Sequence, residues 1–334
     1  MRVVVTGGAG YIGSVVVARL VGSGHAVTVV DDLSKGHREA VSDGAALAVC
    51  DLGDPTGLGS IFKEFAPDAV VHLAARSLVG ESMAIPGTYY RQNVTNTLNV
   101  LEAMDAAGCG SIVFSSTAAV YGEPELEVGG TGIVEETPTV PTNVYGETKL
   151  AAERMIGWYA VTRGFRTIAL RYFNASGAYD GLGEDHRPEA HLIPNVLQVA
   201  LGQAPNLAVY GGDHPTPDGT PIRDYVHVTD LAVAHIRALE VLDAGTVTHD
   251  TLNLGTGSGF SVAQIVETAR RVTGHAIPTV TTGRRAGDPP VLVASAVRAR
   301  TVLGWNPLES SIEAIIGSAW EWHKEHPHGY SVSR

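Results

Sequence analysis

Residues 3–13 read Val-Val-Val-Thr-Gly-Gly-Ala-Gly-Tyr-Ile-Gly, a β-branched run that stops in a turn with glycines spaced Gly7-x-x-Gly10-x-x-Gly13. Few segments restrict a fold more. A strand that ends in such a turn and continues as a helix needs a tight bend at Gly7, a close backbone approach at Gly10 and a helix packed against the sheet at Gly13. The amides that open the helix lie at the positive end of its dipole and suit a pyrophosphate, with Tyr11 and Ile12 beside it. Asp31 closes the second β-branched run. A carboxylate there accepts hydrogen bonds from ribose hydroxyls and repels a 2′-phosphate, which predicts NAD over NADP.

The pattern repeats along the first half. Nearly continuous apolar runs at 3–6, 26–31, 47–50, 69–74, 111–115 and 167–171 alternate with segments of helical length at 10–23, 56–65, 88–107 and 144–163. Strands that are apolar throughout belong to a sheet covered on both faces. The expected fold is therefore α/β: a Rossmann-type doubly wound parallel sheet with a smaller, interleaved C-terminal substrate domain. After Asn174 the texture changes, and Gly, Pro, Asp and His dominate 176–194 and 210–221, which read as functional loops. Helical or strand patterning returns at 229–242, 251–255, near Ser261 and at 312–322. These changes assign 1–174, with a return segment at about 225–258, to cofactor binding, and 175–224 and 259–334 to the substrate domain.

Composition bounds the function. The chain of 334 residues carries a net charge of −12, which opposes nucleic acid and anionic membrane partners. Charged residues make up 17%, against roughly 25% in average soluble proteins, as in a compact, self-associating enzyme. Two cysteines, Cys50 and Cys109, build neither a disulfide framework nor a metal knuckle, which fits a reducing cytoplasm. No export signal and no membrane-length apolar run is present. The 13 histidines are scattered and no His-Glu-x-x-His occurs, so no metal is expected.

A second motif carries chemistry. Tyr145-Gly-Glu-Thr-Lys149 sets a phenol and an ammonium one helical turn apart on one face. Ser115-Ser116-Thr117 closes the fifth run and presents hydroxyls at the carboxyl edge of the sheet, where ligands bind in open α/β folds. A tyrosine of ordinary pKa near 10 is a weak base, and the cations of Lys149 and of oxidised nicotinamide are expected to favour its phenolate. Tyr145 then takes a hydroxyl proton as hydride leaves the same carbon, and Lys149 also bonds the nicotinamide ribose.

With both motifs in hand, the chain resembles the extended short-chain dehydrogenase/reductase family. Within it, Val-Thr-Gly-Gly-Ala-Gly-Tyr-Ile-Gly from Val5, Leu-Val-Gly-Glu-Ser from Leu78, Arg171-Tyr-Phe-Asn174, Asp-Gly-Thr-Pro-Ile-Arg223-Asp-Tyr-Val-His-Val from Asp218 and Arg284-Arg-Ala-Gly-Asp288 resemble the UDP-glucose (UDP-galactose) 4-epimerases. The resemblance implies an NAD-dependent isomerase without net redox: oxidation at C4 of the sugar, rotation of the 4-keto intermediate and hydride return to the opposite face. It further implies that Tyr145 is the base, Lys149 its partner and Thr117 a hydrogen-bonding partner of the sugar hydroxyl. Asp51 and Leu52 would lie by the adenine, and Leu73, Ala74, Asn93 and Phe173 around the cofactor. Asn174 would sit near the substrate phosphates, with His191 and Leu192 at the substrate. Ala208, Val209 and Tyr210 would hold the uridine, and Arg223, Arg285 and Asp288 would close over the nucleotide.

Some positions depart from the resembling pattern. Arg76-Ser77 stands where some members carry a lysine, Asp32 and Lys35 where others have amides, and His191 where some have Asn. Leu292 lies where a bulky tyrosine closes the sugar pocket in some members and a smaller residue admits N-acetylated sugars in others. UDP-N-acetylhexosamines and UDP-pentoses are therefore alternative substrates. A nucleotide-sugar 4,6-dehydratase would need an acid and a base after the active-site threonine, but Thr117 is followed by Ala118-Ala119. A net dehydrogenase would accumulate NADH, and a non-catalytic NAD sensor would not need the Tyr145, Lys149 and hydroxyl set. Two broad apolar helices, 88–107 and 144–163, predict a homodimer through a four-helix contact.

Overall fold

A computed structural model describes residues 1–124, 128–284 and 289–330. In chain order the first part contains β1 (Arg2–Thr6), α1 (Tyr11–Gly22), β2 (Ala26–Asp31), β3 (Ala45–Val49), α2 (Pro55–Phe65), β4 (Ala69–His72), α3 (Val79–Ala84), α4 (Pro86–Tyr89), α5 (Asn96–Ala107), β5 (Ser111–Thr117), α6 (Val144–Arg163) and β6 (Arg166–Tyr172). The rest contains β7 (Asn174–Ser176), α7 (Leu192–Ala200), β8 (Leu207–Tyr210), β9 (Ile222–His227), α8 (Val228–Asp243), β10 (His249–Leu254), β11 (Gly259–Ser261), α9 (Val262–Thr273), β12 (Thr279–Thr282), β13 (Val291–Leu292), α10 (Val297–Leu303) and α11 (Ile312–Glu325).

Seven parallel strands form the main sheet in the order β10-β6-β5-β4-β1-β2-β3. The order reverses between β1 and β4, and this switch point opens a crevice at the carboxyl ends of the strands. The apolar residues of β1 alternate between two cores. Val3 and Val5 join the layer under α1 and α8, and Val4 joins the layer under α2, α5 and α6. This two-sided burial is why the strands read as continuous apolar runs.

A third core, including Ile193, Leu197, Ile265, Ile315 and Trp320, unites α7, α9 and α11 around the smaller part. Its sheet centres on β9, which pairs with β7, β11 and β13, while β8 pairs with β12. The chain crosses between the two halves more often than a single boundary allows. Ala299, Leu303 and Trp305, from the segment expected to serve the substrate domain, pack into the core of the main sheet.

The expected helix over 88–107 is divided. It opens with Pro86 at α4, widens into a π-helical turn over Tyr90–Thr95 and regains α-helical form in α5. The wide turn carries Asn93 inward, where its side chain bonds the Arg76 backbone and Thr148. Strand β5 runs two residues further than expected because Ser116 and Thr117 pair with Arg171 and Tyr172. No helix among the described residues is long and apolar enough to cross a membrane.

Candidate active site

One continuous cavity of about 1120 Å3 runs from the glycine turn across the strand ends to the smaller sheet. Gly7, Gly10, Tyr11, Ile12, Gly13 and Asp31 line one end, with Asp51, Leu52, Leu73 and Ala74 beside them. Thr117, Tyr145, Lys149 and Phe173 lie on its wall, as do Asn174, His191, Leu192, Ala208, Val209, Tyr210, Arg223 and Leu292. Residues far apart in sequence thus share one space. Asn93 is not among the lining residues. Arg285 and Asp288 lie outside the described residues.

The glycines separate by role. Gly7 has φ +71°, and a Cβ there would stand 2.5 Å from the Ala74 amide nitrogen. A Cβ on Gly13 would lie 2.1 Å from the Gly7 carbonyl oxygen, so α1 reaches its place only because Gly13 has no side chain. Gly10 differs, since its Cβ would meet only the Gly7 oxygen, at 3.4 Å, an ordinary contact. The protein's own packing does not require glycine at position 10. Gly10 lines the cavity at the start of α1, which has no side-chain cap, and amides at such a helix start suit an anion.

Asp31 is buried and braces this turn. Its Oδ2 accepts from the Ala9 amide at 3.0 Å and its Oδ1 from Leu33 at 2.9 Å. Burial raises its carboxyl pKa above the ordinary value against those two bonds. Lys35 donates to the Arg187 carbonyl at 3.0 Å, and the Asp32 carboxylate accepts from Ser34 at 2.9 Å. Arg76 faces Glu81 at 3.3 Å, and Glu81 also accepts from Tyr89. Asn93 works behind this wall: Oδ1 accepts from the Arg76 amide at 2.8 Å, while Nδ2 donates to the Arg76 carbonyl and to Thr148 Oγ1, both at 3.0 Å. It holds the loop that forms the wall.

Helix α6 supplies the reactive pair. Asn143 caps it by accepting from the Gly146 amide at 2.9 Å, and the helix start presses so close to the 118–121 turn that a Cβ on Gly146 would meet the Ala119 oxygen at 2.5 Å. This contact places Tyr145 beside the end of β5, close to the side chain of Thr117. Lys149, one turn on, is buried and donates to the Ser115 carbonyl at 2.8 Å, with its Nζ 4.8 Å from the centre of the Phe114 ring.

Electrostatics here run against the simplest expectation. Burial pushes the Tyr145 phenol above its ordinary pKa, opposed by the nearby Thr117 side chain. Burial likewise lowers the Lys149 ammonium to about 7, opposed by the charge of Glu153. In the protein alone desolvation outweighs the stabilising effect of the Thr117 side chain on the phenolate. A cationic ring in the cavity is the partner that would favour the phenolate.

On the smaller sheet, Asp224 is buried and accepts from the amides of Thr256, Gly257 and Ala294 and from the Thr256 hydroxyl. It fixes β9 next to Arg223, whose Nη1 and Nη2 donate to the carbonyls of Ile222 and Pro289, each at 2.7 Å. Leu292 stands directly opposite Arg223 in the pairing of β13 with β9. The sequence reading missed Asp224, because a lone aspartate in an Arg-Asp-Tyr run carries no mark of burial. It also missed Glu184, His186 and Glu189, which with His191 bring four donor atoms within 4.8 Å of one another at the cavity edge.

Residues 3–255 match the model of the NAD dependent epimerase/dehydratase family. The chain is 50% identical over 334 residues to a UDP-glucose 4-epimerase of Halalkalibacterium halodurans, covering 99% of this chain and 98% of the relative. It is similar to a solved crystal structure of a UDP-glucose 4-epimerase, with a TM-score of 0.95, 49% identity, and 99% and 100% of the two chains covered. The structure of UDP-glucose 4-epimerase from Bifidobacterium longum in complex with NAD+ and UDP aligns with a TM-score of 0.91 at 36% identity over 99% and 100% of the chains.

Proposed function

The chain belongs to the NAD dependent epimerase/dehydratase family, and we propose that it interconverts UDP-galactose and UDP-glucose by inverting C4 of the sugar with no net redox change. When bound, NAD accepts a hydride from C4 and returns it. The observation that carries this reading is the placement of Tyr145, Thr117 and Lys149 in the same cavity as the glycine turn and Arg223.

The protein's own groups have separate tasks. Gly10 leaves room for the cofactor pyrophosphate, and Asp31 receives its adenosine ribose. Tyr145 holds the proton of the C4 hydroxyl and exchanges it with the sugar oxygen, while Thr117 fixes the direction of that hydroxyl. Lys149, tied to the Ser115 carbonyl, bonds the nicotinamide ribose and supports the phenolate through its charge. Asn174 and Arg223 take the substrate diphosphate, for which the guanidinium fork is suited. The β8 segment Ala208, Val209 and Tyr210 lies along the uridine, and His191 and Leu192 border the substrate at the start of α7.

Inverting C4 requires the 4-keto sugar to present its other face to the same carbon of the cofactor. The nucleotide must therefore stay anchored while the sugar turns, and a cavity with strong diphosphate contacts and an aliphatic wall at Leu292 fits that need. Ala118 and Ala119 supply neither acid nor base, so elimination of water has no agent next to Thr117.

The test is direct. Purified protein given UDP-galactose without added NAD yields UDP-glucose, and absorbance from NADH does not accumulate. Tyr145→Phe lowers turnover by roughly 10²–10⁴-fold and still retains NAD. Failure of the wild type on UDP-galactose and on UDP-N-acetylhexosamines would overturn the reading.

We place the assembly at a homodimer whose contact runs along α5 and α6. Trp158 and Val161 on α6 are 66% and 76% exposed, an apolar area that a second copy would cover. Sedimentation of the wild type as a monomer at micromolar concentration would refute it.

A further inference from the structure

We propose that Glu184, His186, Glu189 and His191 bind a divalent transition-metal ion, zinc by the chemistry of the donor set, as a structural site at the cavity edge. The four residues follow one another in a single loop with the pattern Glu184-x-His186-x-x-Glu189-x-His191. Each offers one ligand atom, and all four atoms lie within 4.8 Å of one another. A tetrahedral site with metal–ligand bonds of about 2.0–2.2 Å places its donors roughly 3.3–3.6 Å apart. His186 Nδ1 stands 3.1 Å from Glu184 Oε1, and His191 Nδ1 stands 2.7 Å from Glu184 Oε1 and 2.8 Å from Glu189 Oε1. To reach that spacing the contacts at His191 open by roughly half an ångström or more and the widest donor separations close by roughly an ångström, within reach of side-chain rotation in a loop.

Without a metal the cluster is an ion-pair network centred on His191. His191 Nδ1 carries at most one hydrogen, yet two carboxylate oxygens converge on it. Those two oxygens belong to separate carboxylates, and in the metal-free protein the His191 imidazolium, its pKa raised against burial to about 10 by Glu184 and Glu189, is the cation between them until a metal takes the place of its proton. Glu184 is buried, and both of its ion pairs are with imidazoles. Two carboxylates and two neutral imidazoles carry a charge of −2, which a dication cancels. The supporting shell is present as well, since Glu189 Oε1 accepts from the amides of Ala190 and His191, each at 2.7 Å. Imidazole and carboxylate donors in a set of four favour zinc over calcium or magnesium, and four protein ligands leave no open position for chemistry. The metal would fasten the 184–191 loop at the cavity wall, a role separate from that of Tyr145 and Lys149.

Untagged protein is stripped with a chelator, dialysed against zinc chloride with excess magnesium present, and its metal content measured together with its NAD content. We expect about one zinc per chain and a higher melting temperature for the zinc-loaded protein. Glu184→Gln and His186→Ala each weaken zinc binding at least tenfold and abolish the melting shift, while circular dichroism and bound NAD remain as in the wild type. Absence of stoichiometric zinc in the wild type overturns the proposal. Wild-type zinc affinity in either folded variant overturns it too, and if one variant does not fold, the other decides.

Discussion

Glu153 and Arg171 grip each other through two charge-assisted bonds, Nε to Oε1 at 2.9 Å and Nη2 to Oε2 at 2.6 Å, with both side chains buried. The pair lies directly behind the reactive residues, because Tyr145, Lys149 and Glu153 follow at one-turn intervals along α6. Ser116 donates to the same carboxylate, and Arg171 Nη1 reaches Tyr121, which donates to Asn253. The Glu153 charge is also what holds the Lys149 ammonium up against burial. A buried pair left with one partner is costly, whereas an apolar replacement of both is close to neutral. Glu153→Gln should therefore lose about 3–5 kcal/mol in urea unfolding, and the double variant Glu153→Leu, Arg171→Met should recover most of it. A single variant within about 1 kcal/mol of wild type, the range of surface pairs, would remove the pair from this role.

The two kinds of glycine in the first turn predict two kinds of defect. Gly13→Ala drives a methyl group against the Gly7 carbonyl, and overpacking of this kind costs about 1–3 kcal/mol. Gly10→Ala meets no such obstacle and costs the fold about 1 kcal/mol or less as a helix cap. Its methyl group would enter the space proposed for the pyrophosphate. Melting temperature and NAD per chain after gel filtration separate the two. Gly10→Ala should melt near wild type and emerge without NAD, and retention of NAD at wild-type stoichiometry would contradict the assignment.

What the sequence revealed follows from what is local. The β1 run, the glycine turn and the start of α1 are contiguous, so their physics is written in adjacent residues. The Tyr145 and Lys149 pair needs only helical periodicity. The interleaving of α10 into the main core was hidden, because Ala299, Leu303 and Trp305 look the same whichever core they enter. The π-helical turn at Tyr90–Thr95 was hidden too, since its cause is a distant loop at Arg76 that Asn93 must hold. Asn93, expected beside the cofactor, is buried with its side chain on the Arg76 backbone and Thr148, where it holds the loop at the cavity wall. The Glu184 to His191 cluster sits in a loop without periodicity, where spacing says nothing until the backbone turns back on itself. In the cofactor-free protein burial raises the Tyr145 pKa, a desolvation that sequence, which shows neighbouring charges but not depth, does not reveal.

Substrate range should turn on one side chain. Leu292 sits opposite Arg223 and packs with the cluster containing Ala118, Tyr121 and Phe173. It lines the cavity, and on the proposed reading its size would set the space left for the group at C2 of the sugar. Leu292→Tyr should cut the ratio of UDP-N-acetylglucosamine to UDP-glucose turnover at least tenfold, within the roughly 10–200-fold range of one hydrophobic pocket contact. Leu292→Gly should raise that ratio. Competition assays with both substrates read it, and an unchanged ratio in both variants would place the selectivity elsewhere.

A buried histidine sets part of the acid stability. His72 closes β4, with Nδ1 2.6 Å from Thr6 Oγ1 and Nε2 2.8 Å from Thr97 Oγ1. Thr97 gives its own hydrogen to the Asn93 carbonyl, so it can only accept from His72 Nε2, and Nδ1 must accept from Thr6. Both ring nitrogens are thus committed to the neutral form, and burial, helped by the charge of Lys149, lowers the pKa to about 3. Unfolded, the same imidazole takes a proton near pH 6.5. The unfolded state then binds more protons between these values, and stability falls with pH in that window. The His72 contribution is complete above about pH 6.5 and drains away as pH falls toward 3. His72→Gln should be less stable than wild type at pH 7, and the gap should narrow steadily between pH 6.5 and pH 4 in paired melting curves. A gap independent of pH in that window would mean that the folded ring keeps its proton, with Nδ1 donating to Thr6 just as Nε2 donates to Thr97.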